Sequence, residues 1–452
     1  MQILWILSMK KLERNYLFGI TASVVVTFLF PPSVSYSQPQ LDVQSRVKKI
    51  SKEISEIRGI NFKQLVKVKS QSFNDFGKYL DEAIEKQMPE NRLKYYGKIV
   101  KKLGLYRGDE IKDYTSMTKA IMQSQVAAYY DPESEAFYVV TQDLSEQMLG
   151  GLYAHELYHG LQDQHYNLDE YILSQAGGEL NDDELLARQA VVEGEATYIM
   201  TLWSMQQMLG MIPDREILKM SVYLQAEMNT EMMLEILKSG AVSEFQQTEM
   251  TNVVKTIEEI PAFIIETLMG AYQKGMRFVF DIQNYGWEKV SQLYADAPVS
   301  TEQILYPEKW LNGEKPFKYE WPSFNNEAVF RDWEVIDVNT IGEIQWRVIF
   351  SEYEMGYVAK EASAGWDGDV YAILKKKNSD DLLLLLYTSW DTNEDANEFA
   401  VNYENLLKIK YINDNIEVKV KVVDNDVLII EGGAENLTSD VLGFVSRIRK
   451  IK

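Results

Sequence analysis

The chain contains no cysteine, only three histidines and too little positive charge to balance its acidic residues. Without cysteine, disulfide bonds, thiolate metal ligands and lipid attachment through an N-terminal cysteine are excluded. The 46 lysines and arginines face 68 aspartates and glutamates, which gives a net charge of −22. This excess argues against a nucleic-acid partner and against electrostatic binding to anionic lipid. The 452 residues, 46% of them hydrophobic, suffice for two or three domains.

Long apolar runs are also lacking, except near the N-terminus. Three basic residues precede an apolar stretch from Tyr16 to Phe30, and small residues follow at 33–37. This order is typical of a secretory signal with cleavage after Ser37, so we expect export to the periplasm or the medium and no retained membrane span. An uncleaved anchor is the alternative, although this stretch is shorter than the roughly 20 residues that a spanning helix needs.

The three histidines lie within eleven residues of one another, and two of them enclose a glutamate in His155-Glu156-Leu157-Tyr158-His159. On a helix, residues four positions apart share a face, so His155 and His159 can present two ring nitrogens to one cation. Glu156 projects beside them, where it could take a proton from a water activated by the metal. The motif therefore favours a zinc-dependent peptidase.

A catalytic zinc takes three protein ligands and keeps a fourth position for water, so a third ligand is needed. His165 has the spacing of the third histidine in H-E-x-x-H-x-x-G-x-x-H sites, but Gln162 stands where that pattern has glycine. On an unbroken helix His165 would lie about 240° around the axis from His159. Helix geometry favours Glu193, on a second predicted helix, and Glu195 is a further alternative.

The H-E-x-x-H motif and the later segment Glu193–Ala196 (Glu-Gly-Glu-Ala) together resemble the gluzincin branch of the zincin metallopeptidases. The resemblance covers about residues 124–200 and extends to secreted bacterial members of that branch. There, a helix carries H-E-x-x-H and a glutamate of a following helix is the third ligand. The resemblance implies a zincin-like fold, Zn²⁺ as cofactor, Glu156 as general base and, as metal ligands, His155, His159 and Glu193.

Other residues near the motif give further expectations. Gly194 should let the two helices approach closely, which favours its neighbour Glu193 over Glu195. Hydrolysis also calls for a second electrophilic group, which Tyr198 or another tyrosine could supply. A Ser-His-Asp triad elsewhere is excluded because all three histidines lie in one region.

The hydrophobic pattern predicts an α+β protein, mainly helical, with a β-hairpin before the motif helix and a C-terminal α+β domain. Helical periodicity extends over 41–122, and the hairpin surrounds a turn at 131–134. The predicted domains are a signal peptide at 1–37, an N-terminal helical region at 38–122 packed on the peptidase unit, a zincin-like metallopeptidase domain at 123–325, and a C-terminal domain at 326–452.

The remaining predicted elements follow from periodicity, turns and capping residues. Thr392 and Asp395 have the spacing of a helix-capping pair. The elements are helices at 144–164 and 185–210, a short helix after residue 297, strands at 369–374 and 382–387, a helix ending near 407, a hairpin of 416–423 and 426–431, and a final helix at 437–450.

Three functions are compatible with these patterns. The first is hydrolysis of a peptide or protein substrate by a metal-activated water, with Glu156 as general base. The second is a catalytically inactive, metallopeptidase-like binding protein of the cell envelope, with the C-terminal domain as its interaction module. The third is a structural envelope protein in which the metal only joins two helices. Substrate preference and oligomeric state are left open.

Overall fold

The computed structural model describes residues 43–72, 74–80, 90–108, 128–140, 146–173, 180–238, 260–414, 416–432 and 438–452. The predicted signal peptide at 1–37 lies outside these residues, as do parts of the predicted helical region 38–122. Among the helices described, none is long and apolar enough to cross a membrane.

Helices and strands are both abundant, which places the protein in the α+β class as predicted. The helices are α1 Val43–Arg58, α2 Glu90–Leu103, α3 Glu146–Tyr166, α4 Leu168–Leu173, α5 Asp182–Leu209, α6 Arg215–Ala226, α7 Thr230–Lys238, α8 Ala262–Met269, α9 Gly275–Ile282, α10 Trp287–Ala295, α11 Thr301–Leu305, α12 Pro307–Asn312, α13 Glu343–Glu352, α14 Gly356–Ser363, α15 Asn393–Lys410 and α16 Thr438–Val445. The strands are β1 Lys67–Gln71, β2 Ala128–Asp131, β3 Ala136–Val140, β4 Lys318–Glu320, β5 Trp333–Asn339, β6 Trp366–Lys376, β7 Leu382–Trp390, β8 Val418–Val423, β9 Asp426–Glu431 and β10 Arg449–Ile451. A π-helical turn, Gly270–Lys274, joins α8 to α9.

The chain divides into two compact units. The first contains the described residues of 1–88, 115–180 and 185–298, and the second contains those of 89–114, 181–184 and 299–452. The domain limits predicted from sequence, 38–122, 123–325 and 326–452, stay a prediction.

The first unit contains a three-stranded sheet in the order β1-β3-β2. The predicted hairpin is confirmed: β2 pairs antiparallel with β3, and Tyr130 lies opposite Phe137. The prediction of uninterrupted helix over 41–122 is wrong at β1, which pairs parallel with β3. Its sequence, Val-Lys-Val-Lys from 66 to 69, alternates with the two-residue period of a strand.

Two long helices, α3 and α5, form much of the buried interior of the first unit. Both are buried around most of their circumference, which is expected of helices that carry apolar residues on every face. Helix α5 also passes very close to α9, because a Cβ added at Gly194 would lie 2.1 Å from the carbonyl carbon of Gly275. Gly194 was expected to bring α5 close to the motif helix α3. This expectation is wrong, because the helix that Gly194 allows to approach is α9.

The second unit is built on a five-stranded antiparallel sheet in the order β5-β6-β7-β9-β8. The strands predicted at 369–374 and 382–387 are confirmed as parts of β6 and β7. The central strand β7 is apolar without alternation, since Leu383 to Leu386 are all buried and both faces of the strand are covered.

Helix α15 begins as predicted, with Thr392 and Asp395 forming a reciprocal capping box. The predicted C-terminal hairpin is also present as β8 and β9. The prediction of a final helix over 437–450 is wrong at its end: α16 stops at Val445, and β10 then pairs with β4. Phe444 of α16 packs in an apolar cluster with Leu385 and Ile430, so the helix covers one side of the sheet.

Candidate metal centre

Helices α3 and α5 bring three metal-binding side chains together in the first unit. His155 and His159 lie one turn apart on α3, and Glu193 comes from α5. The Nε2 atoms of the two histidines are 3.0 Å apart, and Oε2 of Glu193 lies 3.2 Å from His155 Nε2 and 3.4 Å from His159 Nε2. In the part of the chain that the structure describes, this is the group of histidine and acidic side chains that could hold a metal ion.

The spacing of these three atoms matches one face of a coordination tetrahedron. Zinc binds histidine nitrogen and carboxylate oxygen at about 2.0–2.2 Å, and tetrahedral angles then separate neighbouring ligand atoms by about 3.3 Å. The observed separations of 3.0, 3.2 and 3.4 Å bracket this value. Two nitrogens and one carboxylate oxygen are also ligands that zinc favours. The residues therefore fit a zinc ion held by three protein ligands.

Burial and mutual charge shift the pKa values of the three side chains in different directions. Burial, partly offset by Glu193, lowers the pKa of His155 to about 4. Burial acts in the same sense on His159, but the carboxylate of Glu193 outweighs it and raises the pKa to about 9. The histidines also overcome the effect of burial on Glu193 and lower its pKa to about 2. At neutral pH, His155 is thus uncharged and Glu193 is an anion, the forms that bind metals, whereas His159 carries an extra proton that a metal ion would displace.

Glu156 is fully buried beside this group. Its Oε2 accepts a hydrogen bond of 2.9 Å from the backbone N–H of Tyr130 in β2. Its Oε1 has no hydrogen-bond partner within the described residues, although buried polar atoms are nearly always paired. Burial raises the pKa of Glu156 to about 8. One carboxyl oxygen is thus held by strand β2, and the other has no hydrogen bond within the described residues.

The two alternative third ligands lie elsewhere. A ring nitrogen of His165 is 2.8 Å from the carbonyl oxygen of Asn61. Oε1 of Glu195 forms an ion pair with Arg58, with Nε at 2.7 Å. The structure therefore brings Glu193, and neither alternative, to the histidine pair, because positions two residues apart on a helix face different directions.

A buried polar network lies behind His159. The side chain of Gln162 faces Nδ1 of His159 at 2.8 Å and reaches Glu195 and Tyr294 on its other side. Glu195 in turn is paired with Arg58, which ends helix α1. The network thus joins α3 and α5 to two further helices, α1 and α10.

Sequence analysis missed Gln162 and Arg58 as parts of this site. Arg58 is 137 residues from Glu195, so no local pattern links them. One signal was present: Val47, Ile54 and Arg58 lie along the buried stripe of α1, and a charged residue on such a stripe needs a buried partner.

Tyr272 contacts the metal-binding group; the sequence had left the choice open between Tyr198 and another tyrosine. The Tyr272 ring stacks on His155, with ring centroids 5.8 Å apart, and it belongs to the π-helical turn. Such turns are rare and occur frequently at functional sites. Tyr198 packs on Phe280 and Trp287 instead. The sequence analysis had no signal that distinguished Tyr272 from the other tyrosines.

Comparison with known proteins bears on the second unit. Residues 332–440 are similar to a family described as a domain of unknown function (DUF8575). This segment begins just before β5 and reaches the first turn of α16, so it does not include the residues of the metal-binding group. The comparisons with curated proteins and with solved structures found no match to the chain.

Proposed function

We propose that the protein is an exported, zinc-dependent peptidase of the gluzincin type, with a zincin-like first unit. His155, His159 and Glu193 would hold Zn²⁺, and Glu156 would act as the general base. The observation that carries this proposal is the buried triangle of three ligand atoms with separations of 3.0, 3.2 and 3.4 Å. The H-E-x-x-H motif supports it independently of the geometry.

The protein's own side chains would orient the reaction. When bound, zinc supplies a water of lowered pKa and polarises the substrate carbonyl. Glu156 Oε2 is held by the Tyr130 N–H, and this leaves Oε1 to accept a proton and pass it to the departing amine. Tyr272, stacked on His155, is the candidate for the second electrophilic group.

The proposal is tested by separating metal binding from hydrolysis. The change Glu156→Gln should retain about one zinc per chain and lose cleavage of an unstructured protein such as casein, because an amide cannot accept the proton. The matched control is Glu133→Gln, which alters an exposed glutamate in the β2–β3 turn and should leave both properties intact. Cleavage by Glu156→Gln at the wild-type rate would contradict the assigned mechanism.

A second candidate function is a metallopeptidase-like binding protein without activity. It is favoured by a cleft of about 1070 Å³ in the second unit, large enough for a small ligand or a peptide segment. Its lining includes six basic side chains together with several acidic ones; the basic residues are Lys98, Lys101, Lys102, Arg107, Lys376 and Lys410. Failure of the zinc-loaded wild type to cleave casein under varied conditions would favour this function over the first.

A further inference from the structure

We propose that Gln162 is a positioning residue that fixes the ring tautomer of His159. Its side-chain oxygen accepts a hydrogen bond from Nδ1–H of His159, so that the lone pair of the neutral ring lies on Nε2, the atom that faces His155 and Glu193. This inference rests on the proposed function for its consequence, which is the affinity for zinc. The hydrogen bond between Gln162 and His159 involves only atoms of the protein.

The orientation of the Gln162 amide is determined by its neighbours. Its nitrogen lies 3.0 Å from the carbonyl oxygen of Val192 and 3.3 Å from Oε2 of Glu195. A backbone carbonyl oxygen accepts hydrogen bonds and never donates them. The group facing these two oxygens must therefore be the NH₂ end of the amide, and the amide oxygen must face His159.

The acceptors that orient Gln162 are themselves held in place. Val192 belongs to the backbone of α5. Glu195 is fully buried and receives hydrogen bonds from Arg58 Nε at 2.7 Å and from the Tyr294 hydroxyl at 2.5 Å. Since the Tyr294 hydroxyl donates its hydrogen to Glu195, its oxygen accepts from Gln162 at 2.7 Å. The two hydrogens of the Gln162 NH₂ group therefore have three acceptors within reach, and none of them is His159.

Gln162 constrains the tautomer of His159 and not that of His155. An amide oxygen 2.8 Å from Nδ1 requires that Nδ1 carry a hydrogen, and the Nε2 lone pair of the neutral ring is then aimed at the metal-binding group. His155 differs, because its Nδ1 is buried without a hydrogen-bond partner among the described residues. Partners of this kind set the tautomer and basicity of metal-binding histidines, and their loss typically weakens metal affinity about 10- to 100-fold.

The experiment combines histidine-ring NMR with zinc affinity. The chain has only three histidines, so long-range ¹H–¹⁵N spectra of the rings are simple, and His155→Asn and His165→Asn variants assign them. In the wild type, with and without zinc, His159 should show an Nδ1–H that exchanges slowly with water. In Gln162→Met that proton should exchange faster, and competition with a chromophoric chelator should show a zinc Kd about 10- to 100-fold higher.

A control variant separates positioning from general damage. Gln283→Leu removes another glutamine of the first unit, whose side-chain oxygen is 2.5 Å from Arg215, and should leave both readouts unchanged. Circular dichroism of each variant verifies that it is folded.

The outcomes are distinct. An Nε2–H tautomer for His159 in the zinc-loaded wild type would overturn the inference. Unchanged zinc affinity and unchanged exchange in Gln162→Met would overturn it as well. If the wild type bound no zinc, the proposed function would fall, yet faster Nδ1–H exchange in zinc-free Gln162→Met would still support the positioning of the ring.

Discussion

The change Arg58→Met is expected to destabilise the protein by about 4 kcal/mol. Arg58 is 2% exposed, and its Nε lies 2.7 Å from Oε1 of the fully buried Glu195. Methionine retains the unbranched stem of arginine but has no charge and no donor. The substitution therefore leaves a buried carboxylate without its charged partner, which is the costly way to disrupt a buried ion pair.

The magnitude follows from the contacts that are lost and those that remain. Breaking a buried pair by removing one partner costs about 3–5 kcal/mol. We take the lower end, about 3 kcal/mol, because Oε2 of Glu195 keeps its hydrogen bonds from Gln162 and Tyr294. The hydrogen bond of 2.9 Å from Arg58 to Ser291 is also lost, which adds about 1 kcal/mol.

The assay is urea unfolding of chelator-treated protein, followed by circular dichroism, so that metal binding does not enter. A double-mutant cycle with Glu195→Gln isolates the charge pairing. Neutralising Glu195 removes the unpaired charge, so the double variant should be about 2 kcal/mol more stable than Arg58→Met alone. The control is Arg107→Met, whose partner Glu354 is 85% exposed; such pairs contribute about 0–1 kcal/mol.

Two results would refute this reasoning. One is a destabilisation by Arg58→Met of about 1 kcal/mol or less, equal to that of the surface control. The other is a double variant no more stable than the single variant, which would mean that Glu195 is not left unpaired.

Two other predictions concern packing and pH. Gly194→Ala should destabilise the protein by about 3 kcal/mol in urea unfolding, because its Cβ would lie 2.1 Å from the backbone of Gly275. The control is Gly443→Ala, in a helix and with space for a Cβ, which should be neutral or slightly stabilising. Equal effects of the two substitutions would contradict the packing argument. Burial lowers the pKa of Lys102 from 10.5 to about 8, so between these pH values the unfolded chain binds more protons and the unfolding free energy should rise with pH. Urea unfolding at pH 8 and pH 10 should show this contribution in the wild type and not in Lys102→Met; identical pH slopes would contradict it.

Much of the fold could be predicted because its signals are local. The hairpin, the motif helix, β6, β7 and the capped start of α15 depend on periodicity, turns and capping residues a few positions apart. Strand β1 was missed because its two-residue alternation is brief and lies between amphipathic helices, and its pairing with the distant β3 stabilises it. The end of α16 was missed because the residues after it pair with the distant strand β4.

The candidate site was predictable to the extent that it depends on one helix. His155, Glu156 and His159 follow from a five-residue motif. Long-range contacts determine the remainder: Gln162 was noticed only as a missing glycine, and the role of Arg58 depends on a residue 137 positions away. Gly194 was correctly expected to permit a close approach, yet its partner, Gly275, was not identifiable from sequence.

The most direct test of the central claim is the location of zinc by anomalous scattering in crystals of the zinc-loaded protein. The account predicts one strong peak in the first unit, about 2.0–2.2 Å from a ring nitrogen of His155, a ring nitrogen of His159 and a carboxylate oxygen of Glu193. No peak at these three residues, or zinc bound through His165 in place of Glu193, would contradict it.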